Sequence, residues 1–358
     1  MKLVGAPVQS LARLALLALI GALPAMAGAV QPERQGQESF LTRAVYAEGR
    51  VWVLSDAGDV SSVIEGQDKR VAEVLPQKAV DLCITGGHPV VITGEGKGGS
   101  VWTLRQHAGG AWSVIATVRT GGDELLAMTC AADKVALLTT RRLIGLEGKH
   151  QNAIALSGEV GRGLVSSTYA TPDQFFVGLN AGEWGGGLRR IDRRTGNVTV
   201  VEHNASGELC GGPLNTSCDP VNGIAAEPGK PGCIGVAVGL VHMEPHGRVL
   251  EVCGDQVRRL YYKAYGDNSS RAAGKDDEPL STVAFFGLTS DDDTMRAVGI
   301  DGIYTFGPRG AVQVIPLPQF KNVGGISLSF DVPHFVLVLT NVNQRLSLSG
   351  AVPLMVPR

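Results

Sequence analysis

The residues whose types and spacing could do chemistry are Glu183, Trp184, His203, Glu208, Asp219, Asn222, His242, Glu244 and His246. His203 and Glu208 have the makings of a general acid/base pair, an imidazole and a carboxylate able to exchange a proton near neutrality. His242-Met-Glu-Pro-His246 offers two imidazoles and a carboxylate to a metal such as zinc. Pro245 forbids the helix that gives His-x-x-x-His its usual geometry, so solvated hairpin residues are the plainer expectation and no metal is expected. Asp219 begins Asp-Pro-Val-Asn222, where an aspartate more often caps a turn than abstracts a proton. Trp184 is followed by Gly185, Gly186 and Gly187, which supply no side-chain wall to bury it. It is either a stacking platform for a sugar or a peptide side chain, or a lid over the core beneath. Ligand binding is assigned to Glu183, Trp184 and Asn222. The candidate catalytic set is His203, Glu208 and Asp219, and the candidate metal ligands are His242 and His246.

These residues must be positioned by short strands. After the first 27 residues there is no long helical periodicity, and 48 glycines accompany many Val, Ile and Leu with only 5% aromatic residues. From Ser167 to Glu202, apolar runs are broken first by Ala-Gly-Glu-Trp-Gly-Gly-Gly187 and then by Arg194-Thr-Gly-Asn197, a pattern of antiparallel strands joined by tight loops. Comparable units follow one another from Phe40, Val80, Leu125, Val221, Val283 and Val323, giving seven repeats of roughly 47 residues, the size of a four-stranded propeller blade. Val177-Gly-Leu179, Gly186-Gly-Leu188 and Arg190-Ile-Asp192-Arg-Arg-Thr-Gly196 resemble the blade repeat of two-component-regulator-type β-propellers of the seven-bladed class. That resemblance implies an all-β propeller of seven four-stranded blades spanning residues 40–358, and it carries over no catalytic residue.

In such a fold the loop between the second and third strands of a blade emerges on the same face as the connection to the next blade. The long loops 180–187, 203–219, 241–247 and 264–281 are all of these two kinds and belong to blades four to six. They should crowd one sector of one face, where loops on a rigid scaffold carry recognition.

Residues 1–27 read as a secretory signal: Lys2 and Arg13 bound a short positive region, the stretch 14–23 that follows is apolar, and Ala25-Met-Ala27 has the small residues a signal peptidase cuts after. That stretch is far shorter than the roughly 20 residues a membrane span needs. Residues 28–39 are an N-terminal extension. The mature chain is expected in the periplasm or secreted, with no membrane insertion, and a formal charge of -2 gives no basic field for nucleic acid. In that setting the six cysteines read as disulfides. A hairpin centred near Met243 sets Val238 opposite Arg248 and Cys233 opposite Cys253, Cys210 and Cys218 close a ring within one loop, and Cys83 is left with Cys130. Asp291-Asp-Asp293 reads as a turn, with calcium the lesser alternative. No nucleophile elbow, phosphate loop or dinucleotide fingerprint occurs, so no cofactor is expected. The expectation is a propeller that binds a protein or glycan through its loop face. The alternative is a propeller hydrolase or lyase acting on a sugar or lactone.

Overall fold

The computed structural model describes residues 41–357 except 65–69, 132–133, 149, 203, 205–209, 267–280, 292, 308–309, 318–325, 331–334 and 341–353. The signal and extension, 1–27 and 28–39, and the candidates His203 and Glu208 therefore lie outside the described residues.

The chain is a β-propeller. Its described strands form consecutive antiparallel meanders, each paired in chain order from inner strand to outer strand. The inner strands are Leu41–Ala47, Ala79–Thr85, Leu125–Ala131, Leu164–Ala170, Val221–Ala226, Phe285–Ser290 and Ile326–Ser329. Each touches the inner strand of the next blade, and the last touches the first, which closes the ring. Six blades are four-stranded, where seven were expected. The seventh sheet has three described strands, and residues 341–353, between its second and third, lie outside the description.

The core is a set of apolar slabs between blades. Val90, Ile92, Trp102, Leu104 and Val118 of blade two pack against Leu125, Met128, Val135, Leu137 and Ile144 of blade three. Phe176, Leu188 and Val201 of blade four meet Val221, Val236, Val238 and Leu250 of blade five. Both faces of an interior blade are thus covered, which is why strands such as His88–Gly94 are apolar almost continuously instead of alternating. Blade one and blade two bury Trp52, Leu54, Leu82 and Val91 in the same way.

Six inner strands carry a bulge near their first residues, between Leu41 and Arg43, Ala79 and Asp81, Val165 and Ser167, Val221 and Gly223, Phe285 and Gly287, and in blade three beside Leu125. The extra residue disrupts the ladder and frees a carbonyl on the second strand. Where the bulged residue is polar, its side chain takes up that carbonyl: Thr42 Oγ1 donates to Leu54 O at 3.3 Å, Ser166 Oγ to Gly178 O at 3.0 Å, and Asn222 Nδ2 to Gly239 O at 2.7 Å.

Three disulfides join Cys83 to Cys130, Cys210 to Cys218 and Cys233 to Cys253. The blade-five hairpin pairs Cys233 with Cys253 and Val238 with Arg248 in its ladder, with Met243 at the tip in a left-handed conformation, φ 60°.

Candidate functional site

The loops of blades four and five meet on one face. Residues Gly182–Trp184 form a single 3-10 turn, closed by Ala181 N donating to Gly185 O at 2.8 Å and Gly182 N to Asn180 Oδ1 at 2.8 Å. Gly185 has φ 75°, and a side chain there would put its first carbon 2.3 Å from the Thr216 carbonyl, so only glycine lets the turn lie on residues 216–218. Gly186 N and Gly187 N then donate to Thr216 O and Asp219 O, both at 2.9 Å. The turn is fastened to the connection between blades four and five.

That connection is itself held by Asp219. Its carboxylate, 2% exposed, accepts Arg248 Nη2 at 2.6 Å and the Asn215 N–H at 2.6 Å, while Arg248 Nε donates to Pro213 O at 2.7 Å. Burial pushes the Asp219 carboxyl above its ordinary range, against the pull of the Arg248 guanidinium and the Asn215 N–H. Asp219 is thus committed to a buried ion pair that ties loop to hairpin. Asn222 is committed as well: besides Gly239 O, its Nδ2 donates to Phe285 O at 2.8 Å, and its Oδ1 accepts from Asn180 Nδ2 at 2.7 Å.

The hairpin tip completes the sector. His242 Nε2 lies 3.2 Å from Glu183 Oε2, and both side chains are about half exposed. The next residue in each loop is apolar and open to water: Trp184 is 77% exposed and Met243 90%, with Val241 at 46%. His246, further down the hairpin, is pushed below its ordinary pKa by burial and then by Arg248. It sits across the ladder from Leu240, whereas His242 sits across from Glu244. Among the described residues no three His, Cys, Asp or Glu side chains are grouped to hold a metal. On the far side, Thr282 Oγ1 accepts Gly247 N at 2.8 Å and donates to Gly247 O at 2.9 Å, which braces the tip against the start of blade six. Asp291 pairs with Arg296 across a hairpin turn of blade six.

Sequence reading missed a second feature on the same face. A cavity of about 590 Å³ opens at the mouth of the ring, among the starts of the inner strands of blades one to four. Arg43, Lys78, Asp81, Lys97, Leu126 and Leu164 are in its lining. Arg43 Nε pairs with Asp81 Oδ1 at 3.1 Å, and Asp81 Oδ2 accepts Met128 N at 3.2 Å, so one carboxylate joins three blades. These residues come from separate repeats, and only ring closure assembles them.

No family model matches the chain, and no curated protein matches it. Among solved structures it is similar to the Pan2 WD40 domain of Neurospora crassa, with TM-score 0.51 and 12% identity over 84% of this chain and 86% of that one. It is similar to YCF48 bound to a D1 peptide, with TM-score 0.51 and 11% identity over 88% and 95% of the two chains. The extracellular domain of the hybrid two-component system BT4673 from B. thetaiotaomicron aligns over 85% of this chain with TM-score 0.45 and 13% identity, and this chain spans 37% of its length. At these identities the likeness establishes the β-propeller fold alone.

Proposed function

We propose that this chain is an exported β-propeller that captures a protein segment through the loops of blades four and five. The observation that carries this reading is the exposed ridge of Trp184, Met243 and Val241 around the Glu183–His242 pair, held on loops that are hydrogen-bonded to each other and to the blades. Large apolar side chains left in water at a rigid surface mark an interaction site, and tryptophan is a frequent binding anchor. Methionine beside it favours peptide side chains over sugar, because its flexible, polarisable thioether adapts to irregular apolar shapes. Three disulfides support export, since such bonds persist in oxidising compartments. The similarly folded YCF48 was solved with a peptide bound, which supports a propeller face as a peptide platform.

The experiment is site-specific photo-crosslinking in the exported fraction. A photoreactive residue at Met243 should trap a discrete partner, and the same residue at Asp255, in a turn on the opposite face, should not. Trp184→Ala should reduce trapping from Met243 at least tenfold. Equal trapping from both faces would sink the reading, and retention on a glycan array abolished by Trp184→Ala would replace protein with sugar.

A further inference from the structure

The cavity of about 590 Å³ at the mouth of the ring has the size of a small-molecule site, and its wall is of two kinds. One part is apolar. Leu126 and Ala127 of blade three, Leu164 and Val165 of blade four and Val80 of blade two line it. Leu164 is 74% exposed, a large apolar side chain left in water at the start of an inner strand. The other part is charged, with Arg43, Lys78 and Lys97 set against Asp56 and Asp81, three cations to two carboxylates.

These charges are unequally engaged. Asp81 is spent: besides Arg43 Nε and Met128 N, it accepts its neighbour Leu82 N at 2.8 Å. Lys78 pairs with Asp59, but both side chains are about two-thirds exposed, and water screens such a pair strongly. Lys97 forms no ion pair among the described residues. A surface lysine without a partner is ordinary; this one borders a hollow with an apolar wall, and its backbone is fixed. Lys97 O accepts Leu125 N at 2.9 Å, and Gly96 O accepts Trp102 Nε1 at 3.3 Å. The first bond ties the lysine to the strand that carries Leu126, so the backbones bearing cation and apolar wall are set relative to one another before anything binds. On the other side of the mouth, Ala79 N donates to Gly58 O at 2.9 Å and Gly94 N to Lys78 O at 3.3 Å. A site fixed in this way loses little freedom when it is filled.

We propose that this cavity binds an amphipathic anion, an apolar body ending in one carboxylate, with the head at Lys97 and the body against Leu126 and Leu164. The lining's excess of one positive charge calls for a single negative one, and an ammonium on a long stem acts as a point charge that follows its ligand's head. The body removes Leu164 and the partly buried Leu126 from water, which supplies the non-directional share of the affinity. Two sources carry this chemistry: a free acid, or the C terminus of a peptide whose last side chain is apolar. The inference does not rest on capture through the Trp184 ridge, because it is read on the protein alone with small probes, and either can fail without the other.

The test is calorimetric titration and thermal unfolding of the purified protein at constant ionic strength. The probes are octanoate, octan-1-ol, acetate, and acetyl-Ala-Ala-Leu with a free C terminus. Octanoate or the peptide at tenfold excess over its Kd should raise Tm by about 2 °C. Octan-1-ol lacks the charge and acetate lacks the body, so each should bind at least fivefold more weakly than octanoate. Lys97→Gln and Leu164→Asp, both at exposed positions, should each weaken binding at least fivefold. Lys134→Gln, at an exposed lysine on the opposite face, should leave it unchanged. A response to octanoate assigns a free acid, and a response to the peptide alone assigns a chain end. No response to either, an equal response to octan-1-ol or acetate, or binding unaltered in Lys97→Gln or in Leu164→Asp would overturn the proposal.

Discussion

Ser166 and Asn222 occupy the same bulge in consecutive inner strands, and each donates a hydrogen bond to the inner strand of the next blade. Ser166 Oγ reaches the Val221 carbonyl and Asn222 Nδ2 the Phe285 carbonyl. A residue that looked like a ligand contact in sequence thereby holds three blades together. Asn222→Ala leaves Gly239 O, Phe285 O and Asn180 Nδ2 without their partner, and a stranded buried group costs about 1–3 kcal/mol. The urea midpoint should fall accordingly, whereas an unchanged midpoint with lost capture would return Asn222 to the binding surface.

Removing the Asp219 carboxylate strands the Arg248 charge, of which the side chain is 10% exposed. Breaking a buried pair from one side costs about 3–5 kcal/mol, while replacing both partners with apolar groups is often close to neutral. Asp219→Ala should therefore lose more stability in chemical denaturation than the double variant Asp219→Ala/Arg248→Met. A double variant less stable than the single one would show that Arg248 is held by something other than the aspartate.

The four tryptophans are Trp52, Trp102, Trp112 and Trp184. The first two are fully buried, and Trp112 donates to Glu73 at 3.3 Å. Trp184 should dominate quenching by acrylamide or iodide. Trp184→Phe should remove most of the quenchable emission while shifting stability by no more than about 0.5 kcal/mol, as for surface substitutions generally. Persistent quenching in Trp184→Phe would mean that the 182–184 turn is not the open element described above.

On the opposite face Glu48 accepts from His88 Nδ1 at 2.6 Å and His107 Nδ1 at 2.7 Å, in a left-handed backbone conformation with φ 55°. Burial acts to raise the Glu48 carboxyl, but the bonds and charges of His88 and His107 outweigh it and hold it below its ordinary 4.5. A lowered folded pKa contributes stability that is present above pH 4.5 and lost as pH falls through the lowered value. Denaturant midpoints measured from pH 6 to pH 3 should decline more steeply in the wild type than in Glu48→Gln. Parallel curves would place the acid sensitivity elsewhere.

What could be read from the chain was whatever is local. The register of the hairpin, Val238 against Arg248 and Cys233 against Cys253, follows from counting outward from Met243, and the glycines after Trp184 announce an uncovered indole. What could not be read depends on the ring. Arg189 looks like one of several arginines in a strand, and nothing nearby in sequence says that Gly161 packs against its guanidinium. Asp81 looks like a strand-edge charge, yet it joins residues 43 and 128 from other repeats. The bulges were hidden for a related reason: one extra residue leaves no compositional mark when Thr42, Val80, Ser166, Asn222 and Phe286 all serve. The apolar run at Arg345–Leu348, which reads as a strand of the last blade, lies outside the described residues.

The Cys83–Cys130 bond differs from the other two in joining inner strands of different blades. Covalently, blades two and three are one piece, so the ring cannot part at that boundary and must open at another. A single cut in the exposed turn at Gly109 and Gly110 would release no fragment, because both products stay attached through the sulfurs until they are reduced. Against a protease, one nick in that stretch is an injury the ring can carry without losing a blade.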